Sequence, residues 1–278
     1  MSPTALPGLV SALARDVLTG PARPARVIAV AWQALYLLPH GQREPLALVV
    51  PGAVRVPAAV VLPRAAGDRP FHGLTPGRTG RVGAGRIAIG PLCLTTGEFW
   101  APPRAQDTPP GPVLDRLATL RPPRPLPPEV RPAARALVRM LAHGGTVARR
   151  RAAHALLGRG PGATPSGDDF LCGLLLAARV QPRPPDWLAA LAHVAAEADA
   201  LTPPVSAALL RHAAEGLCIP QVAVLLRAAA TGGDPSGPVT ALLAVGHSSG
   251  CDLLHGLCAG ARLATRARDG VGPGSTPP

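Results

Sequence analysis

From position 26 to about 100 the apolar residues come in runs of four to six, separated by Pro and Gly: 27–32, 35–38, 46–50, 58–62, 86–89 and 92–96. Runs of that length between turn residues predict strands, and their spacing predicts a mostly antiparallel sheet or small barrel. Positions 8–18 predict a short opening helix, and the polar, Gly-bearing stretch 64–81 a loop. From 133 onward the apolar period becomes helical, over 133–142, 147–157, 168–180, 187–200, 205–215, 219–230, 238–244 and 251–268. That pattern predicts about seven or eight helices packed through Ala and Leu faces. Between the two regimes, 101–132 is dense in proline with one helical candidate at 113–120, and consecutive prolines read as a linker or a surface strap. The expected fold class is α+β. A strand-rich N-terminal sheet or small barrel (1–100) leads through the linker or strap (101–132) to an all-α domain (133–268), and then a disordered tail (269–278). No repeat at a fixed period stands out.

Composition changes this picture little. Hydrophobic residues make up 47% and aromatics 3%, so the core must be built of Ala, Leu and Val. The formal charge of +12 would suggest nucleic acid, yet every basic residue is Arg, with no Lys and no Asn, which fits codon bias. The arginines are scattered apart from Arg149-Arg150-Arg151, and neither a reading motif nor stacking aromatics accompany them. Nucleic acid is therefore not the expected partner. The five cysteines form no C-x-x-C pair and read as buried thiols in a reducing compartment. Asp16 and an Arg interrupt the N-terminal apolar stretch, which rules against a signal peptide. The run 170–180 is too short to span a bilayer. The expectation is a cytoplasmic protein without membrane contact.

Candidate chemistry gathers in two places. The first is Gly158-Arg-Gly-Pro-Gly-Ala-Thr-Pro-Ser-Gly-Asp-Asp169, which lies between helical segments. Gly160, Gly162 and Gly167 allow the backbone to approach a ligand, Thr164 and Ser166 offer hydroxyls, and Ser166 is placed to cap the following helix. The glycine spacing matches a phosphate loop, but Asp168 and Asp169 stand where Lys and Ser or Thr belong. Two carboxylates would repel a phosphate, so that reading is rejected. Carboxylates at a helix N-terminus are stabilised by the dipole. Asp168 and Asp169 could serve as a general base, accept from an amide, or hold a divalent cation such as Mg. The plainer alternative is that both stabilise the helix start.

The second place is Val245-Gly-His-Ser-Ser-Gly-Cys-Asp-Leu-Leu-His-Gly256, again a polar turn opening an apolar helix with an Asp in its first turn. His247 is a candidate acid/base, while Ser248, Ser249, Gly250 and Asp252 are candidate substrate contacts. The N–H groups around Gly250 could take a phosphate, a carboxylate or an oxyanion. The plainer reading is a Ser cap beside a partly exposed His. Ser206 either caps its own helix or joins the site, and His255 lies two turns beyond His247. No G-x-S-x-G elbow follows a strand, so a Ser-His-Asp hydrolase is not indicated.

Together the two strings resemble the AllH-type family of oxamate carbamoyltransferase subunits, and the resemblance covers nearly the whole chain. The chain departs from the family pattern at Arg159 and Ala163, where leucines are usual, and at Pro203, where a Thr-Thr pair would end; the paired Asp is intact. The resemblance implies a subunit that works with partner chains in allantoin catabolism, where oxalurate and phosphate give oxamate and carbamoyl phosphate. The expectation is a subunit of a carbamoyl- or acyl-transferring complex that binds a small polar metabolite at these two turns. A non-catalytic module that binds or senses such a metabolite is the alternative.

Overall fold

Period-two burial organises the first of two units, Met1–Pro103. Along β3 (Ala34–Pro39), Leu35, Leu37 and Pro39 are buried while the residues between them are not. The computed structural model describes residues 6–269. With β1 (Leu6–Ser11), β2 (Arg23–Val30), β4 (Leu46–Val49), β5 (Ala59–Val61), β6 (Thr79–Gly83), β7 (Arg86–Ile89) and β8 (Leu92–Trp100), β3 forms a closed barrel in the order β1-β5-β4-β3-β2-β6-β7-β8. The β1–β8 and β4–β5 pairs are parallel and the others antiparallel. Val27, Leu37, Leu48, Val60, Ile87 and Leu94 belong to one continuous buried core, which leaves the closed sheet without an unpaired edge.

Two local expectations fail here. Positions 8–18 are not one helix: β1 occupies the first half, and a 3₁₀ turn and the short helix α1 (Arg15–Thr19) follow. β6 lies at the end of the stretch read as a loop. Gly80 and Gly83 conceal β6 in the sequence, because they remove the side chains on which the alternation signal depends.

The second unit, Arg104–Pro278, holds nine α-helices among the described residues. They are α2 (Val113–Thr119), α3 (Arg131–His143), α4 (Thr146–His154), α5 (Ser166–Arg179), α6 (Leu188–Ala196), α7 (Pro204–Ala214), α8 (Pro220–Thr231), α9 (Ser236–Leu243) and α10 (Ser249–Asp269). The chain is thus α+β. The unit begins at Arg104, near the start of the proline-rich stretch, which is built into it. Leu114, Leu117, Leu126 and Val130 are buried, and the Arg262 guanidinium donates to the Ala118 and Leu120 carbonyls, where the dipole of α2 favours a cation. Prolines prevent that stretch from extending a helix, yet the apolar residues among them can still be buried. Positions 270–278, most of the tail expected to be disordered, lie outside the described residues.

α5 is the central element: every residue from Ser166 to Ala178 is buried. α10 lies against it through glycines. A Cβ on Gly173 would overlap the Leu253 carbonyl and the Leu257 amide, and one on Gly256 would overlap the Phe170 carbonyl and the Gly173 backbone. Gly260 lies against the Ala177 methyl group. Positions 173 and 177 on α5, and 256 and 260 on α10, are four apart, so each pair forms one stripe. Backbone meets backbone at Gly173 and Gly256.

Alanine at Gly173 or Gly256 sets a helix-propensity gain of about 1 kcal/mol against an overlap with backbone that only a shift of a whole helix can relieve. The overlap should win, giving a net loss of about 2 kcal/mol in chemical denaturation. Gly237 in α9 has open space where a Cβ would go, so Gly237→Ala should leave stability equal or slightly higher.

Candidate functional site

The stripes that carry the glycines also carry the carboxylates. Asp169 precedes Gly173 by one helical turn and Asp252 precedes Gly256 by one turn, so the two carboxylates face one another where the first turns of α5 and α10 meet. The same spacing, Ser-Gly-x-Asp-x-x-x-Gly, runs over 166–173 and 249–256. Both serines open their helices. In each copy the second residue is a glycine pressed against a carbonyl of the preceding segment, Leu156 for Gly167 and Leu242 for Gly250.

Asp168 and Asp169 are neighbours with different surroundings. Asp168 is fully buried; its Oδ1 accepts the Gly158 N–H at 2.9 Å, and its Oδ2 accepts the Ser206 hydroxyl at 2.8 Å and the Thr202 hydroxyl. Burial raises its pKa above the ordinary carboxylate range, and the three hydrogen bonds oppose that rise. Gly158 can present its N–H because it takes a φ of +68°, with its Cα set against the Leu201 carbonyl where no side chain fits. Asp168 therefore binds the glycine loop to the start of α7, with both of its oxygens hydrogen-bonded within the chain.

Asp169 is 5% exposed and Asp252 is 2% exposed, and each keeps its Oδ2 buried without a hydrogen-bond partner. Burial pushes the Asp169 pKa well up, against the Ser249 hydroxyl bond that lowers it, and the Asp252 charge pushes it further in the same direction. Burial and the nearby negative charges thus favour the protonated form of Asp169. The Ser249 hydroxyl also lies 2.9 Å from that of Thr164, so the two turns meet directly. With Asp169 ionised, Ser249 must give its single proton to the carboxylate, and Thr164 then donates to Ser249. With Asp169 protonated the chain can run the other way. Thr164 is half-buried, which puts one end of this chain near solvent.

Several expected contacts have other work. Ser166 is the first residue of α5 and makes no cap; Pro165 precedes it, and the Asp168 and Asp169 amides donate to the Pro165 carbonyl. Ser206 is committed to Asp168. In the second turn the Gly250 amide donates to the Val245 carbonyl and the Cys251 and Asp252 amides to the Ser248 carbonyl, so these three N–H groups are already engaged within the chain. His247 is exposed, and its carbonyl receives the Arg124 guanidinium at 2.9 Å. His255 reaches the Arg124 carbonyl at 2.7 Å, so the proline-rich segment clasps α10 through one arginine. Ser248 is half-buried, Gly162 is exposed with open space at its Cα, and a Cβ on Gly160 would crowd Ser166. No group of three His, Cys, Asp or Glu side chains comes together as a metal cluster among the described residues. All five cysteines are buried; burial pushes Cys218 up to about 12 and Cys258 to about 11, so these thiols stay protonated.

Sequence reading missed the partner of Asp169. Asp252 was grouped with its own turn, although the shared Ser-Gly-x-Asp-x-x-x-Gly spacing pairs it with Asp169.

Two measurements separate the neighbouring aspartates. Asp168→Ala should cost about 3 kcal/mol, since it strands a buried amide and two buried hydroxyls. Asp169→Asn should act in the opposite direction at neutral pH. Folded Asp169 keeps its proton above pH 3.8, where the unfolded chain has lost it, so its contribution to stability falls as pH rises from 3.8 through the raised folded value. Thermal melts should show Asp169→Asn above wild type at pH 7, with the difference shrinking toward pH 4.

Among solved structures none matches the chain. A family model, oxamate carbamoyltransferase subunit AllH, matches residues 156–261. The match runs from just after α4 through most of α10 and takes in Asp168, Asp169, Ser206, Ser249 and Asp252. Over the part of the helical unit that holds both carboxylate-bearing turns, the chain matches the AllH family of oxamate carbamoyltransferase subunits.

Proposed function

We propose that this chain is a subunit of a carbamoyl-transferring assembly in which the Asp169–Asp252 pair moves the proton of the transfer step. The observation that carries the reading is the pair of buried, unpartnered carboxylate oxygens at the meeting of two helix N-termini, within the span that the AllH model matches. In the reaction that the resemblance implies, a phosphate oxygen attacks the ureido carbonyl carbon of oxalurate and the C–N bond to oxamate breaks. The departing nitrogen needs a proton, and the attacking phosphate releases one. In this reading one carboxyl of the pair gives that proton and the other takes one up, so the balance closes on these two side chains. A cation held between the two free oxygens would suit the same donors, and Asp169 and Asp252 would then be its protein ligands. Thr164 and Ser249 would relay the proton outward. The word subunit in the family description supports an assembly with partner chains.

The test is oxamate release from oxalurate and phosphate by the assembly purified with its partner chains. Asp169→Asn and Asp252→Asn should each lower turnover by about 100-fold or more, with the complex intact by size and melting no lower than wild type. Unchanged turnover in both variants overturns the reading. Ligand-induced stabilisation of a chain that no assembly makes active would instead identify a metabolite-sensing module.

A further inference from the structure

One cavity in the helical unit has an unusual charge balance. It lies between α3 and α10, encloses about 1020 Å³, and is lined by Arg131, Arg135, Arg139, Arg262, Arg266 and His255 without one acidic residue. The arginines stand in two rows. Arg131, Arg135 and Arg139 follow each other at four-residue steps on α3, as do Arg262 and Arg266 on α10, so each row projects from one helix face toward the other. Arg131 and Arg262 are held at the base by the carbonyls of Leu126, Ala118 and Leu120. Arg135, Arg139 and Arg266 are exposed and make no ion pair among the described residues. Like charges gathered without counter-charge cost folding energy, and a bound anion recovers that cost.

We propose that this cleft binds the phosphate groups of a small phosphorylated ligand. Guanidinium groups arriving from two opposed walls suit a phosphate, whose several oxygens accept from both sides; a carboxylate offers two oxygens in one plane. The volume is at the upper end of the range for small-molecule sites, so it holds an organic body as well as the phosphate. Leu126, Val138 and Leu263 supply an apolar wall for that body. A nucleic-acid groove fits less well. The aromatic in the lining, Phe170, is 3% exposed and offers no stacking face. The inference is independent of the carboxylate dyad.

The experiment is isothermal titration of the full chain with inorganic pyrophosphate at fixed ionic strength. Wild type should bind, with a rise in melting temperature, and Arg135→Gln combined with Arg266→Gln should weaken affinity by about tenfold or more. Both side chains are exposed, so the double variant should melt no lower than wild type without ligand. Arg227→Gln, on the exposed face of α8, should bind like wild type. The proposal is overturned if wild type does not bind pyrophosphate, or if Arg227→Gln loses as much as the double variant. It is also overturned if a random-sequence DNA duplex binds more tightly and displaces pyrophosphate.

Discussion

The backbone contact between α5 and α10 sets the other features of the helical unit. Gly173 and Gly256 let the main chains of the two helices meet directly where they cross, and Gly260 admits only the Ala177 methyl one turn on. Residues one turn toward the N-terminus are brought as close as the glycines, and those residues are Asp169 and Asp252. Ordinary core side chains at the crossing would separate the helices and admit water between the carboxylates. The raised pKa of Asp169 thus follows from glycines four residues away, through exclusion of solvent and the approach of a like charge.

Adjacent helical residues point about 100° apart, and this accounts for the different fates of Asp168 and Asp169. Asp168 turns toward the glycine loop and α7, where three donors take up both its oxygens. Asp169 turns toward α10, where a hydroxyl and a second carboxylate wait. The first aspartate holds the walls of the site in place. The second keeps a buried oxygen without a hydrogen-bond partner.

Much of this was legible in the sequence, because it depends on local pattern. All eight helical stretches read from 133 onward correspond to α3 through α10, since their apolar period and their Gly or Pro boundaries act within one or two turns. Six strands were visible for the same reason. β1 and β6 were hidden because Pro7, Gly8, Gly80 and Gly83 break the alternation, and only pairing across the barrel makes strands of them. At the site, both turns were found as chemically rich segments, but which oxygen is taken and which is free depends on Gly158, Thr202 and Ser206, and no local pattern connects these to Asp168. The arginine rows were overlooked because 131, 135 and 139 look scattered in a line of text; helix winding aligns them, and α10 brings the second row opposite.

The absence of lysine gives the arginine cleft a fixed character. Guanidinium groups as a class stay charged in proteins, and lysine acetylation has nothing in this cleft to modify. Phosphate monoesters, by contrast, take their second charge near pH 6. As far as the arginines set it, occupancy of such a cleft is governed by the ionisation of the guest.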